Sequence, residues 1–509
     1  MAAKLSRLPR LTQDALGQLA CLGNVAEVTA LTWVQGGSEE TMHANLWEAV
    51  RTGLVLRVAN AYEFAHDRVQ EAAYALIPAD ERVAVHLRIG RALVSRTPPE
   101  ALEDAIFDIV NHLNRGSALI ATATERGQVV ALNLIAGTRA MNSTAYAAAR
   151  SYLELGVALL SPDAWTQRYD STFDLYLAFS ECEYLAGDFA KADALADMML
   201  ARACSNLDRA KVFSLRIELY QLAGRYDESF AVALTALRDF GIIFPETDQD
   251  VHAAVDVALR EAHANQAGRP IGELVEAPVA TDPAIRAIVN LLLQAMNCAF
   301  AARPAFYPLI TLRAVNLSLQ HGNTDNSSFA YGNYALMLVS LIGDIPTAVQ
   351  FSEMSIKLNE KFGNRRLVGK LLHLYGAHVN FWRCHIATNL PVLERATTAC
   401  LEVGDLVFAG NIAFNAVWQT IEKGAVLEDV QTLAEKYAAL ARESHNDAVY
   451  ELIRVERQFV VSLRGKTTET LQLNDDTFDE AACFDAIIKS NFGCAIGVYR
   501  IIKVMLAFL

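Results

Sequence analysis

Four short turn signals recur along the second half of the 509-residue chain at steps of about 41 residues: His321-Gly322-Asn323, Phe362-Gly363-Asn364, Val403-Gly404-Asp405 and His445-Asn446-Asp447. Each joins a residue that tolerates left-handed φ to an Asn or Asp whose side chain can cap the next helix. A second series interleaves with the first: Gly343-Asp344, the Trp382-Arg383-Cys384 stretch, which lacks glycine, then Gly424 and Gly465. Two turns per period leave room for two helices per repeat. The chain is therefore constrained to a stack of helix pairs, each packed on its neighbours.

Two earlier units carry a related signal, Gly187-Asp188-Phe189 with Ala192 and Gly224-Arg225-Tyr226 with Ser229, set 37 residues apart. Here glycine permits a sharp turn, the aromatic is expected to fill the hole between helices, and the small residue lets the backbones approach. Asp188, Asp344 and Asp405 read as helix caps and not as metal ligands. Between the two sets of turns, residues 267–283 (AGRPIGELVEAPVATDP) break the helical pattern with Gly268, Pro270, Gly272, Pro278 and Pro283, which marks a boundary or an inserted loop.

The N-terminal part reads differently. Thr12 to Leu22 and Val25 to Val34 are short amphipathic segments separated by the turn dipeptide Gly23-Asn24. A third segment, Ser38 to Thr52, has Ser38 as N-cap, Glu39 and Glu40 in its first turn and Gly53 beyond its end. Two strand-like stretches follow, Leu54 to Val58 and Tyr62 to Ala65. Three helices and a hairpin predict a winged helix. At its edge lies Tyr62 to Pro78, YEFAHDRVQEAAYALIP, where Tyr62, Phe64 and His66 alternate as in a half-buried strand. From Arg68 the period changes to that of a helix, with Asp67 and Gln70 spaced as a capping box. His66 thus falls at a strand-to-helix corner.

This stretch resembles the FxHDRVQEAAY signature that closes the winged-helix part of STAND-type signalling ATPases. The likeness extends through HLRIGRAL (His86 to Leu93), IFDIVNHLNRG (Ile106 to Gly116) and LNLIAGTRAMNSTAYAAARSYL (Leu132 to Leu153). It points to the bacterial family that joins a serine/threonine kinase, a predicted AAA-type ATPase, a helical-repeat region and a sensor histidine kinase in one polypeptide. The resemblance implies that the winged helix folds back on the ATPase and reads its nucleotide state, with His66 near the bound phosphates. An imidazole N–H can donate to a phosphate oxygen, which gives that residue type a reason to be there. The alternative is that His66 satisfies a backbone group at the strand end.

Expectations for the whole chain follow. It is mostly α, a winged-helix module with a short hairpin followed by a TPR-like solenoid. The module covers residues 1–95, a first array 96–266, the Pro/Gly-rich break 267–283, and a second array 284–509, which stops inside an apolar helical run and reads as truncated. No P-loop, Walker-B-like run, HRD or DFG set, or histidine-kinase nucleotide box is present, so the segment is expected to be non-catalytic and to hold no cofactor. ATP or ADP and magnesium are implied only for the ATPase and kinase domains outside it.

A net charge of −14 with pI near 5.3 offers no footprint for nucleic acid or anionic lipid. The third helix, with Glu39, Glu40 and Glu48 against Arg51, would repel DNA phosphates. Scattered Cys21, Cys182, Cys204, Cys298, Cys384, Cys400, Cys483 and Cys494 read as buried free thiols of a reducing, cytoplasmic compartment. The apolar tail from Phe484 contains Asp485, Lys489, Arg500 and Lys503 and reads as a packed helix, not a membrane span. Tyr334, Tyr375, His378, Asn415 and Trp418 fall on equivalent helices. They fit either a concave surface for a protein or small-molecule ligand or ordinary aromatic packing. Two functional classes follow: a regulatory segment whose ligand binding is coupled to adjoining ATPase and kinase domains, or a free-standing scaffold that holds another protein.

Overall fold

The computed structural model describes residues 2–444, 446–469, 471–490 and 492–508. The chain divides into two compact units, Met1–Ala203 and Cys204–Leu509.

Unit 1 begins with α1 (Arg10–Leu22), β1 (Val25–Glu27), α2 (Val28–Gln35), α3 (Glu39–Arg51), β2 (Val55–Val58) and β3 (Ala61–Phe64). The strands form an antiparallel sheet of order β1-β3-β2, with Ala26 opposite Tyr62 and Leu56 opposite Glu63. The module thus runs helix, strand, two helices and a hairpin. Val25 to Glu27 was expected as helix. Pairing with β3 makes it a strand, and three residues are too few to show alternation in the sequence. Leu16, Leu19, Leu31, Met42, Leu46, Val55, Tyr62 and Phe64 close the core of the module. Ser38 caps α3 by accepting from Thr41 N–H, and Gly53 follows at φ +69°. His43 Nδ1 meets Tyr62 Oη at 2.6 Å, tying α3 to β3.

The helical array of unit 1 comprises α4 (Asp67–Tyr74), α5 (Arg82–Arg96), α6 (Leu102–Arg115), α7 (Ala123–Asn142), α8 (Tyr146–Ala158), α9 (Tyr169–Leu185) and α10 (Phe189–Arg202). From α5 onward, α5–α6, α7–α8 and α9–α10 are the intimate pairs. The α5–α6 crossing explains two of the motifs. His86-Leu87-Arg88-Ile89-Gly90 and His112-Leu113-Asn114-Arg115-Gly116 share the pattern HLxxG. A Cβ on Gly90 would stand 2.7 Å from the Leu113 side chain, and one on Gly116 would stand 2.8 Å from Leu87 Cα. Each leucine therefore packs where the other motif has glycine. Between them the two buried imidazoles touch, Nδ1 to Nδ1 at 2.9 Å, and His86 Nε2 reaches Tyr74 Oη at 3.0 Å.

Unit 2 comprises α11 (Asn206–Leu222), α12 (Tyr226–Asp239), α13 (Asp248–Gln266), α14 (Pro283–Ala302), α15 (Tyr307–His321), α16 (Ser327–Met337), α17 (Ile345–Phe362), α18 (Arg365–Leu374), α19 (Leu390–Glu402), α20 (Leu406–Glu422), α21 (Leu427–Glu443), α22 (Asp447–Leu463), α23 (Glu480–Ser490) and α24 (Gly493–Phe508). α16–α17, α18–α19 and α21–α22 are hairpin pairs. Gly322, Gly343, Gly363, Gly404, Gly424 and Gly465 all adopt positive φ at helix ends, as both turn series require. Asp344 and Asp405 accept from Thr347 and Phe408 N–H as caps, and Asn364 accepts from Arg366 N–H. In unit 1, Asp188 accepts from Lys191 N–H in the same way.

Several expectations change at residue level. Asn323 caps nothing: it is buried, and its Nδ2 donates to Leu274 O while its N–H donates to Pro278 O. The Pro/Gly-rich segment is thereby bound to the end of α15, and a short 3-10 turn over Ile271–Glu276 seats Ile271 and Leu274 in the core. Phe189 does not fill a hole. It is half exposed and lies edge-on to Tyr184, and the close approach falls instead to Ala192, whose carbonyl accepts from Ser180 Oγ. Of the eight cysteines only Cys182, Cys298, Cys400 and Cys483 are buried, and Cys204 is exposed. His445 lies outside the described residues; Asn446 beside it accepts from Val449 N–H as the cap. In α14, Pro283–Phe300 is long and apolar enough to cross a membrane, and 56% of that stretch is buried within the protein. In α24, Ala495, Ile502 and Leu506 are buried.

Candidate functional site

His66 stands two residues past the end of β3 and is exposed. It was expected that Asp67 would cap α4. Instead the His66 ring does so, its Nδ1 accepting from Arg68 N–H at 3.1 Å. That bond assigns the ring proton to Nε2, leaving one outward N–H donor on a ring fixed by its own helix. On α3 the only basic group of the last turn, Arg51, is already paired with Glu48 at 2.5 Å, so this helix presents no free cation.

In unit 2 the expected surface residues fall into separate groups. Tyr334 is buried and meets Phe351 edge-on, ring centroids 4.9 Å apart. Tyr375 is half-buried and donates to Asn380 Oδ1 at 2.9 Å. His378 packs edge-on against His373, 5.4 Å between centroids, and His373 Nε2 accepts from Asn415 Nδ2 at 3.3 Å. Trp418 Nε1 donates to Glu422 Oε1 at 2.8 Å. The structure thus joins His378 to Asn415 through His373, while Tyr334, Tyr375 and Trp418 each keep other partners.

His373 and a network behind Tyr375 escaped the sequence reading because the helix changes pitch. After α18 the chain runs as a π-turn over Tyr375–Val379. Five residues separate His373 from His378, a spacing that puts side chains on different faces of a regular helix; the wider turn brings them together. The carbonyls of Gly376 and Ala377 accept from Gln419 Nε2, each at 3.3 Å. Gln419 Oε1 accepts from Asn389, whose Oδ1 accepts from Asn380 at 2.7 Å. Tyr375, Asn380, Asn389 and Gln419 thus satisfy one another and the loosened backbone, a network that fixes the register of α18 against α20.

Burial holds the His373 imidazole down at about 3 and that of His378 at about 4, so both are neutral near pH 7. His373 Nδ1 has no hydrogen-bond partner. Glu456 on α22 is completely buried with both carboxylate oxygens unpartnered, and burial raises its carboxyl well above the usual range. Its position between Val455 and Phe459 on the face that Leu452 and Val460 share is the sequence signal that marks it. Among the described residues no group of three or more His, Cys, Asp or Glu is placed to hold a metal ion.

Unit 1 holds a site that sequence reasoning missed. Asn111, Asn114 and Arg115 of α6 face Ser151, Tyr152 and Leu155 of α8 across a cavity of about 430 Å³. Tyr152 Oη donates to Asn111 Oδ1 at 3.1 Å, and Asn114 exchanges amide hydrogen bonds with Asn133 at 2.8 and 2.9 Å. The spacing 111, 114, 115 on one helix face was its signal.

Paired helices, glycine-ended turns and Asp or Asn caps define a mostly α protein of the tetratricopeptide-like repeat class. No family model matches the chain. Over 450 residues it is 23% identical to hybrid signal transduction histidine kinase G of Dictyostelium discoideum, an alignment that covers 79% of this chain and 13% of that protein. A solved STAND protein with a tetratricopeptide repeat sensor, from Pyrococcus horikoshii, is 12% identical with a TM-score of 0.48, over 99% of this chain and 66% of that one. The chain thus spans about an eighth of the curated relative and less than two thirds of the solved one. At that score the fold rests on this chain's own helix pairing.

Proposed function

We propose that the chain is a non-catalytic regulatory segment of a larger signal-transduction ATPase-kinase. In this reading the N-terminal module contacts an adjoining ATPase, and the helical array binds a ligand or partner whose docking biases that contact. A partner with unequal affinity for two arrangements of the assembly shifts the balance between them, and kinase output follows. One observation carries the reading: the 450-residue similarity to a signal transduction histidine kinase of which this stretch is a small part. The FAHDRVQEAAY segment supports it, because the capped ring of His66 offers an outward Nε2–H suited to a phosphate oxygen. In the array, Tyr375, His378, Asn415 and Trp418 retain open surface for a partner, whereas Tyr334 bears on it through Phe351.

The test has two arms. Purified chain given ATP and magnesium should neither hydrolyse ATP nor transfer phosphate; turnover that follows the protein through purification would overturn the proposal. In a longer protein that carries the ATPase, His66→Ala should change ATP hydrolysis while leaving the melting temperature of the array unaltered. Unchanged hydrolysis removes His66 from any nucleotide role.

A further inference from the structure

The groove between α6 and α8 carries a charge that nothing among the described residues answers with an ion pair. Arg115 forms no ion pair among the described residues, and neither does Arg88, on a chain of net charge −14. Arg115, Arg88 and Arg82 all act on one group, the Cys21 thiol, which burial pushes up to about 11 against their opposing pull. Arg82 is engaged with Ile77 O and the Tyr74 ring; Arg88 and Arg115 are exposed. Arg115 also helps hold the His86 and His112 imidazoles low, after burial in both cases and after His86 itself for His112. The Arg115 guanidinium thus stands at the C-terminal end of α6, while Asp108, one turn from Asn111, bears on Tyr152 at the other end. A ligand entering this groove meets a gradient of charge along its length.

The neutral groups of the groove suit a peptide. Asn111 spends its Oδ1 on Tyr152, which leaves both of its amide hydrogens free, and Asn114 keeps one amide hydrogen after its exchange with Asn133. Two side-chain amides one turn apart can donate to successive backbone carbonyls of an extended segment, and Leu155 and Tyr152 supply apolar wall. A guanidinium fork at one end matches a planar carboxylate.

We infer that the groove between α6 and α8 binds an acidic peptide segment, with one of its carboxylates held by Arg115 and its backbone by Asn111 and Asn114. The site does not depend on the regulatory reading above, since a scaffold with no ATPase attached would use it equally.

The test uses the full chain and a fluorescein-labelled peptide of alternating Gly and Glu, with a counterpart in which every Glu is replaced by Gln, read by fluorescence anisotropy. The Glu peptide should bind, and binding should weaken as salt is raised. Arg115→Gln should weaken it about tenfold or more, the scale of one charge-assisted fork. Asn111→Ala should weaken it less, and Arg10→Gln, a surface charge remote in sequence, should leave it unchanged. Arg115→Glu should reverse the preference toward a peptide of alternating Gly and Lys, which separates a charge contact from damage to the fold. Equal binding of the Gln peptide, no loss with Arg115→Gln, or saturation by inorganic phosphate with no binding of the Glu peptide would each overturn the inference.

Discussion

Each unit buries one glutamate completely, and the two are treated in opposite ways. In unit 1, Glu183 of α9 is gripped by Arg150 of α8 and lies 2.7 Å from Lys191 of α10, which also bonds Glu154 at 2.9 Å. In unit 2, Glu456 of α22 has no hydrogen-bond partner for either oxygen among the described residues. The first is answered by two cations from neighbouring helices, so it ties three helices together. The second has its carboxyl raised well above the usual range by burial, contributes nothing to pairing and costs stability. Equal burial therefore has opposite consequences, decided by whether a cation lies within reach.

The largest expected effect breaks the first arrangement. Replacing both Arg150 and Lys191 by Met strands Glu183, and unit 1 should lose about 3–5 kcal/mol of unfolding free energy in urea titration. Next, Glu456→Leu should stabilise unit 2 by about 1–3 kcal/mol, because an unsatisfied buried polar group is removed; a loss of stability would show that the carboxyl has a partner after all.

The same glutamate should tilt the pH dependence. Its folded value lies above the unfolded value of about 4.3, so both states are protonated at lower pH and no penalty is felt. As pH rises through 4.3 and beyond, only the unfolded chain ionises freely, and stability falls. Glu456→Gln should flatten that slope in melting temperatures taken from pH 4.5 to 8. The buried His373 and His378, held near 3 and 4, act oppositely as pH drops below 6.5, so the difference between variant and parent is the quantity to read. The smallest effect is Lys191→Met alone, below about 1 kcal/mol, since Lys191 is partly exposed and Arg150 still answers the charge.

Sequence pattern reached the turns because glycine, Asp and Asn act locally. Left-handed φ at Gly322, Gly363 and Gly404, and caps at Asp188, Asp344 and Asp405, need no knowledge of distant residues. It failed where the partner is remote. β1 exists only through β3, Asn323 is claimed by a loop some fifty residues earlier in the chain, and the π-turn is held by Gln419 from another helix. Among the site residues, His66 was placed at the corner, but its role as the cap emerged only with the ring orientation. The Arg115 groove left only the 111, 114, 115 spacing as a signal, because nothing in a sequence announces that a cation lacks an anion.

The α5–α6 crossing has an evolutionary corollary. Leu87 is seated by Gly116 and Leu113 by Gly90, with the two imidazoles locked between them, so these six positions form a keyed joint. A bulkier residue at either glycine closes the seat of a leucine on the opposite helix, which makes the six heritable only as a set. Two copies of one five-residue word, facing each other across a joint, are also what a duplicated helix would leave behind.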